Sequence, residues 1–120
     1  KKFDLKGKKP KNTAEWIEFA GAYEGKCKPS LYYFWMDGCG WCDKFNPTWD
    51  LLVKDYKKYV DMMKYEMNDA TRFGMIERYN IKSYPTIILV KNDKHFMFNY
   101  NDRTIENFKK FFDKHKIKND

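Results

Sequence analysis

Two cysteines, Cys39 and Cys42, are separated by two residues and directly follow the apolar run Leu31 to Met36. The run predicts a strand buried on both faces, and the apolar spacing after it predicts a helix. A cysteine at the start of a helix meets unpaired backbone N–H groups and the positive end of the helix dipole, which lower its thiol pKa below about 8.5. We therefore predict that Cys39 attacks disulfides as a thiolate, and that the more buried Cys42 resolves the mixed disulfide.

Three other interpretations of this Cys-x-x-Cys pair stay open. It could be half of a zinc site, although Cys27, His95 and His115 have no paired spacing that would complete one. It could be a permanent structural disulfide, although so small a ring adds little stability. Both cysteines could also be incidental, which the strand–glycine–cysteine–helix context argues against. The sequence favours redox chemistry and predicts neither a metal site nor a bound cofactor.

A second candidate site lies at Ser83-Tyr84-Pro85-Thr86, where a proline directly precedes a predicted β-branched strand. Strands need their backbone donors, so a proline at this place is unusual. A cis Tyr84–Pro85 bond would turn the chain sharply and expose the backbone of Tyr84 to an extended substrate segment. A trans proline at the start of the strand is the alternative.

The remaining pattern predicts the elements that position these residues. Before the cysteines, we expect a helix from Asn12 to Gly25. After them, we expect a helix from Gly40 to about Tyr59 kinked at Pro47, a strand from Met62 to Met67, and a short helix from Thr71 to Tyr79 with Phe73 and Ile76 inward. We then expect a strand from Thr86 to Val90, a turn at Asn92-Asp93 and a strand from His95 to Tyr100. A last helix is expected to begin at Arg103-Thr104. It should bury Ile105, Phe108, Phe111 and Phe112.

The length, charge and apolar content of the chain limit the classes of function that it can have. The 120 residues suit one domain, and the net charge of +7 is concentrated in residues 1–11, which hold six lysines and one aspartate. Such a basic arm is typical of a solvated terminus, so we expect no nucleic-acid partner. No long uncharged apolar run exists, so we expect neither a membrane span nor a retained signal peptide.

Cys27 is interpreted as a small, half-buried residue, with an intermolecular or regulatory thiol as the alternative.

Together these motifs resemble the thioredoxin superfamily, and most closely the catalytic domains of protein disulfide isomerases. The matching segments are Phe34-Trp35 before Cys39-Gly40-x-Cys42, Phe45-Asn46-Pro47-Thr48-Trp49 after it, and Tyr84-Pro85-Thr86, which matches the family's cis-proline motif. The resemblance implies an α/β thioredoxin fold over residues 12–118, with a central mixed sheet of four to five strands flanked by helices on both faces. It also implies a monomeric thiol–disulfide oxidoreductase that acts on protein disulfides, needs no cofactor and is recycled by a reductant or an oxidant.

The resemblance also implies roles for individual residues. Cys39 and Cys42 form the redox-active disulfide, and Arg103 swings toward Cys42 and eases its deprotonation, with a solvated helix-start residue as the alternative. Lys64 stands where thioredoxins keep a lysine near the buried sulfur, with a solvent-facing strand lysine as the alternative. The substrate groove is expected to include Trp35, Gly40, Trp41, Tyr84 and Pro85.

Four positions depart from the family pattern. Tyr33 replaces a buried carboxylate, and a tyrosine with a pKa of about 10 is a poor base at neutral pH, although its hydroxyl could orient a water. Trp41 replaces a proline or histidine and brings no positive charge, which predicts a less stabilised Cys39 thiolate and a more reducing pair. Gly38 replaces a tryptophan and Asn101 a glycine, and both changes affect substrate fit.

Two functions from different classes therefore remain. The first is a thiol–disulfide oxidoreductase, and the second is a redox-inert thioredoxin-fold module that binds a partner or belongs to a larger assembly. The sequence leaves the direction of the redox chemistry open. The isomerase-like pattern favours the secretory pathway or endoplasmic reticulum lumen, with the cytoplasm or a virion as alternatives.

Overall fold

The structure, a computed structural model, describes residues 28–117. In chain order these form β1 (Ser30–Trp35), α1 (Gly40–Tyr56), β2 (Asp61–Glu66), α2 (Met67–Arg72), α3 (Met75–Arg78), β3 (Thr86–Lys91), β4 (Lys94–Met97) and α4 (Ile105–Lys114). The basic arm at residues 1–11, the helix expected from Asn12 to Gly25, and Cys27 lie outside the described residues. No helix within residues 28–117 is long and apolar enough to cross a membrane.

The strands form one mixed sheet in the order β2-β1-β3-β4. Strand β1 pairs in parallel with β2 and antiparallel with β3, and β3 pairs antiparallel with β4. The predicted mixed sheet is confirmed, with four strands in the part of the chain that the structure describes. The central position of β1 explains its continuous apolar sequence, because both of its faces are covered by helices.

Each face of the sheet has its own apolar core. On one face, alternate residues of β1 and β3 pack against α1 and α4; this core includes Leu31, Tyr33, Phe45, Trp49, Leu52, Ile87, Leu89, Phe108 and Phe112. On the other face, the intervening residues pack against α2 and α3; this core includes Phe34, Ala70, Met75, Tyr79 and Ile88. Burying one such large apolar side chain contributes about 1.5–3 kcal/mol, so both layers hold the strands in register.

The predicted short helix from Thr71 to Tyr79 is wrong in one respect. The chain forms two short helices there, α2 and α3, because Gly74 between them adopts a left-handed backbone with φ of 72°. Phe73, expected to face inward, is 60% exposed. Its ring lies edge-on to Tyr65 with 6.2 Å between the ring centroids, at the margin of the core rather than within it.

The predicted β3–β4 hairpin is confirmed, and its turn residues Asn92 and Asp93 have positive φ values of 55° and 64°. Two consecutive left-handed residues match the turn whose twist suits a two-residue hairpin, and Asn and Asp tolerate that conformation well. Strand β4 ends at Met97 rather than at Tyr100. Beyond it, the Phe98 N–H still donates to the carbonyl of Ile87 at 2.9 Å.

The strand directions bring three loops to one end of the sheet. Phe34 pairs with Thr86, so the end of β1 lies beside the start of β3. Phe98 lies opposite Ile87, so the chain leaving β4 runs toward the same end. Residues 36–39, 83–85 and 99–104 therefore gather where α1 begins, and this arrangement positions the site.

Candidate active site

Cys39 and Cys42 form a disulfide at the start of α1, with 5.2 Å between their Cα atoms. Cys39 is the N-cap residue of the helix, and its Sγ accepts a hydrogen bond from the Cys42 backbone N–H at 3.0 Å. Cys42 is 1% exposed, whereas Cys39 is only half-buried. The helix end therefore presents the Cys39 sulfur to solvent and directs a backbone donor at it.

The loop before Cys39 depends on Gly38, whose φ of 77° lies in the left-handed region. A side chain at this position would be strained even though no atom lies within 4 Å of where its Cβ would stand. Gly40 is different, because it is the first residue of α1 and does not have a positive φ. Of these two glycines, only Gly38 has a backbone conformation that favours glycine.

Tyr33 lies directly beneath the buried cysteine. It is fully buried, and its hydroxyl shares its one proton between two acceptors, Oδ1 of Asn46 at 2.7 Å and the Cys42 carbonyl oxygen at 3.2 Å. Burial, together with the negative charge of Asp43, raises the pKa of Tyr33 to about 12, and the positive charge of Arg103 partly opposes this. The hydroxyl is therefore neutral at physiological pH and holds its place as a hydrogen-bonding group.

Arg103 is half-buried and lines a cleft of about 390 Å³ between the first turns of α1 and the loop after β4. The cleft is lined by Trp41, Lys44, Phe45, Asn101, Asp102 and Arg103. The effect of Arg103 on the pKa of Tyr33 places its charge within electrostatic reach of the hydroxyl that contacts Cys42. The role of Arg103 toward Cys42 stays a prediction; the structure places it half-buried at the start of α4, where it lines the cleft.

The Tyr84–Pro85 peptide bond is cis. Thr86 closes the turn around it, because its Oγ1 donates to the carbonyl of Ser83 at 2.6 Å. Burial raises the pKa of Tyr84, and the nearby carboxylate of Glu66 adds to the effect. Glu66 is the register partner of Trp35, so these aromatic residues lie at the sheet end where the cysteine loop begins.

The predicted substrate-groove residues fall into two groups. Trp41 is 63% exposed and lines the cleft beside Arg103. Trp35, Tyr84 and Pro85 belong instead to the adjoining ends of β1 and β3, away from the residues that line the cleft. Gly40 stands exposed between the two cysteines.

Lys64 fits neither of its two predicted settings fully. It is exposed, yet its Nζ lies 5.3 Å from the ring centroid of Tyr33 and 5.4 Å from that of Trp35. The ammonium group therefore rests over the aromatic rings of β1 on the side of the sheet that carries α1.

The structure gives the histidines packing roles. The ring of His95 lies 5.0 Å from that of Tyr79, and the ring of His115 lies 4.2 Å from that of Phe96. Within residues 28–117, no group of three or more histidine, cysteine or acidic side chains is placed to hold a metal ion.

Sequence reasoning missed the roles of Asn46 and Lys44. Asn46 follows Cys42 by four residues, so the two share one face of α1, and this spacing was a usable signal. Lys44 places its Nζ 4.7 Å from the centroid of the Trp41 ring. That contact sets one wall of the cleft.

Comparisons with known proteins place the chain in a family. The thioredoxin family model matches residues 9–114. The chain is 33% identical over 81 residues to the chloroplastic M-type thioredoxin of Spinacia oleracea, an alignment covering 68% of this chain and 42% of that protein. It is 32% identical over 89 residues to a protein disulfide-isomerase of Drosophila melanogaster, covering 73% of this chain and 18% of that protein.

Solved structures show the same fold. The oxidised thioredoxin from Plasmodium falciparum superposes with a TM-score of 0.59 at 19% identity, covering 87% of this chain and 92% of that one. The chain spans less than half the length of the spinach and fruit-fly relatives that it matches. The family match and the mixed four-stranded sheet with its cysteine pair at a helix start lead to one conclusion: the chain belongs to the thioredoxin family.

Proposed function

We propose that this chain is a thiol–disulfide oxidoreductase that acts on protein disulfides, with Cys39 as the nucleophile and Cys42 as the resolving thiol. The observation that carries the proposal is the contrast between the two sulfurs. Cys39 caps α1 and its Sγ accepts a backbone N–H, whereas Cys42 is 1% exposed. A thiolate at the cap is favoured by the helix end and is reachable from solvent, as a nucleophile must be.

In the reducing direction, the Cys39 thiolate attacks one sulfur of the substrate disulfide. A Cys39–substrate bond forms, and the other substrate sulfur leaves as a thiolate that takes up a proton. Cys42 then loses its proton, and its thiolate attacks the Cys39 sulfur, which releases the second substrate thiolate and closes the Cys39–Cys42 disulfide. Two electrons pass to the substrate, and the same steps in reverse form a disulfide. A dithiol reductant or a disulfide oxidant recycles the pair.

Deprotonation of Cys42 is the demanding step, because this thiol is buried. Tyr33 cannot accept the proton, since its pKa is raised to about 12 and its hydroxyl donates toward the Cys42 carbonyl. The positive charge of Arg103 acts on the Tyr33 hydroxyl, and a cation near Cys42 would favour the Cys42 thiolate. We therefore propose that Arg103 takes on the electrostatic role and that the proton leaves to solvent.

Substrate binding is proposed to use two surfaces that flank Cys39. The exposed indole of Trp41 and the backbone at Gly40 supply one side. Trp35, Tyr84 and Pro85 supply the other, where the cis bond lies at the start of β3. An extended substrate segment can pair with backbone exposed at such a turn.

A redox-inert binding module is the second candidate, and the neutral Tyr33 favours it. A buried tyrosine provides no proton acceptor for Cys42, which a fast redox enzyme would use. The family fold supports many partner-binding roles without chemistry, so the candidate needs an activity test.

An insulin-reduction turbidity assay with dithiothreitol separates the two candidates. We expect wild-type protein to accelerate insulin precipitation, Cys39→Ser to abolish the acceleration, and the control variant Cys27→Ser to retain it. Wild-type protein that performs no better than Cys39→Ser would overturn the proposal and favour the binding module. The reduction potential then gives the direction: a value near about −270 mV indicates a reductase, and one near about −180 mV an isomerase or oxidase.

A further inference from the structure

The cleft beside the cysteine pair carries more charge than the proposed role of Arg103 in the redox chemistry accounts for. Its walls carry two cations, Lys44 and Arg103, and one anion, Asp102. No salt bridge joins Lys44 or Arg103 to any carboxylate within residues 28–117. Asp102 is exposed, whereas Arg103 is half-buried, so water screens the carboxylate more strongly than the guanidinium.

The surroundings of the two cations suit a ligand oxygen. Phe45 is 3% exposed and forms apolar wall, and Trp41 covers the rim with its exposed indole. The Lys44 ammonium rests over that indole at 4.7 Å, which holds it at the cleft mouth. A guanidinium that is half-buried beside apolar surface, with no salt bridge to a carboxylate of residues 28–117, favours a ligand carboxylate, which it binds through two parallel N–H donors.

The position of the cleft links it to substrate rather than to a remote ligand. Trp41 stands between the two cysteines, and Lys44 follows Cys42 by two residues. The cleft therefore begins within the first turn of α1 after Cys39, within reach of the residues that flank a disulfide bound at Cys39. An aspartate or glutamate side chain next to the substrate disulfide has the length and charge to enter it.

We propose that this cleft binds an acidic side chain of the substrate polypeptide and makes the chain prefer disulfides flanked by aspartate or glutamate. This inference rests on the proposed oxidoreductase function and names its substrate class. Lys44 and Arg103 are the residues that set the preference. Asp43, which is exposed on α1 but does not line the cleft, takes no part.

The test uses two disulfide-bonded peptides that are identical except for glutamates or lysines beside the cysteines. We expect wild-type protein to reduce the acidic peptide with a kcat/KM at least about two- to fivefold higher, and expect salt to diminish the ratio. Lys44→Glu should lower the acidic-to-basic ratio by about fivefold, and Lys44→Gln by less. Lys54→Glu is the matched control, because Lys54 is exposed on the same helix about 15 Å further along its axis and should leave the ratio at the wild-type value.

A binding measurement keeps the inference separate from the redox activity. The same peptides with serine in place of cysteine are titrated into isotope-labelled protein and followed by nuclear magnetic resonance. We expect the acidic peptide to shift the amide signals of Lys44, Asn101 and Arg103, and the basic peptide to leave them in place. Equal kcat/KM values for both peptides, or shifts confined to other surfaces, would overturn the inference while leaving the oxidoreductase function intact. If neither peptide is reduced, the proposed function fails, and the titration alone decides whether the cleft binds acidic chains.

Discussion

The hydroxyl of Tyr33 on β1 lies 2.7 Å from Oδ1 of Asn46 on α1, so the central strand is tied to the helix that carries both cysteines. The same hydroxyl lies 3.2 Å from the carbonyl oxygen of Cys42. Because it has a single proton, it bridges the two acceptors rather than donating fully to each. In this chain a neutral hydrogen-bonding group thus lies where the family resemblance places a carboxylate, and it contacts the backbone of Cys42.

Loss of the Tyr33 hydroxyl should destabilise the fold. Tyr33→Phe removes the bridge and leaves the partly buried Asn46 oxygen without this donor, which costs about 1–2 kcal/mol of the free energy of unfolding. Urea denaturation of the oxidised protein measures this loss. Tyr100→Phe is the matched control, because the Tyr100 hydroxyl has no hydrogen bond within residues 28–117 and its loss should change the free energy by less than about 0.5 kcal/mol. Equal stability of the two variants would show that the bridge contributes nothing.

Alkaline pH should lower the free energy of unfolding, because Tyr33 loses its proton more readily in the unfolded chain than in the fold. Its pKa is raised from 10.0 in an open chain to about 12 in the fold, so the folded state favours the protonated form. The stability from this preference is fully present below pH 10 and is lost as pH rises toward about 12. Tyr33→Phe has no hydroxyl that could titrate at this position. We therefore expect the difference in free energy of unfolding between wild type and variant to become smaller between about pH 9 and pH 11.

The other tyrosines with raised pKa values do not obscure the comparison of wild type with Tyr33→Phe. Burial also raises the pKa values of Tyr32, Tyr56 and Tyr84, but these residues are present in both proteins and their contributions cancel. Denaturation curves at the two pH values provide the measurement. A difference in free energy of unfolding between wild type and Tyr33→Phe that stays constant over this pH range would contradict a buried, neutral Tyr33.

The two glycines of the cysteine loop should respond oppositely to alanine. Gly38 has a φ of 77°, a conformation that costs a residue with a Cβ about 1–2 kcal/mol, so Gly38→Ala should destabilise the oxidised protein by that amount. Gly40 starts α1 with open space around its position, so Gly40→Ala should be neutral or stabilising by up to about 1 kcal/mol. Thermal or urea unfolding of both variants tests the contrast, and equal losses would show that the loop does not depend on Gly38.

Trp41 should keep the pair more reducing than a cationic neighbour would. Trp41→His places a partly charged ring beside the Cys39 thiolate and stabilises the dithiol form, which should make the reduction potential less negative by about 10–20 mV. The shift should be larger at about pH 6 than at about pH 8, because histidine titrates near 6.5. Equilibration with glutathione followed by alkylation measures the potential. Trp41→Gln is the neutral control, and a shift of equal size in that variant would trace the effect to loss of the indole.

The sequence predicted the elements whose signals are local. The apolar run of β1, the Asn92-Asp93 turn and the aromatic spacing of α4 each reflect burial or backbone conformation within a few residues, and all three are confirmed. The break at Gly74 was missed because the helical spacing of apolar residues continues across it. A single glycine in the left-handed conformation outweighed that spacing and placed Phe73 at the surface.

The parts of the site that depend on packing could not be predicted in the same way. The Tyr33–Asn46 contact requires the exact placement of α1 on β1, and the two residues are thirteen positions apart in the chain. The cleft combines the first turns of α1 with residues that follow β4, some sixty positions later, and no local pattern joins them. The sequence identified Cys39, Trp41 and Arg103 separately, and the strand order brought them to one end of the sheet.

Trapping of the mixed disulfide tests the central claim most directly, because it identifies the sulfur that attacks. Reduced Cys42→Ser protein is mixed with a disulfide-bonded peptide, and the covalent adduct is located by mass spectrometry after proteolysis. We expect one peptide attached to Cys39, and no adduct at the cysteine pair when Cys39→Ser protein is treated in the same way. An adduct carried by Cys42 in the Cys39→Ser protein, with Cys39 unmodified in the Cys42→Ser protein, would contradict it.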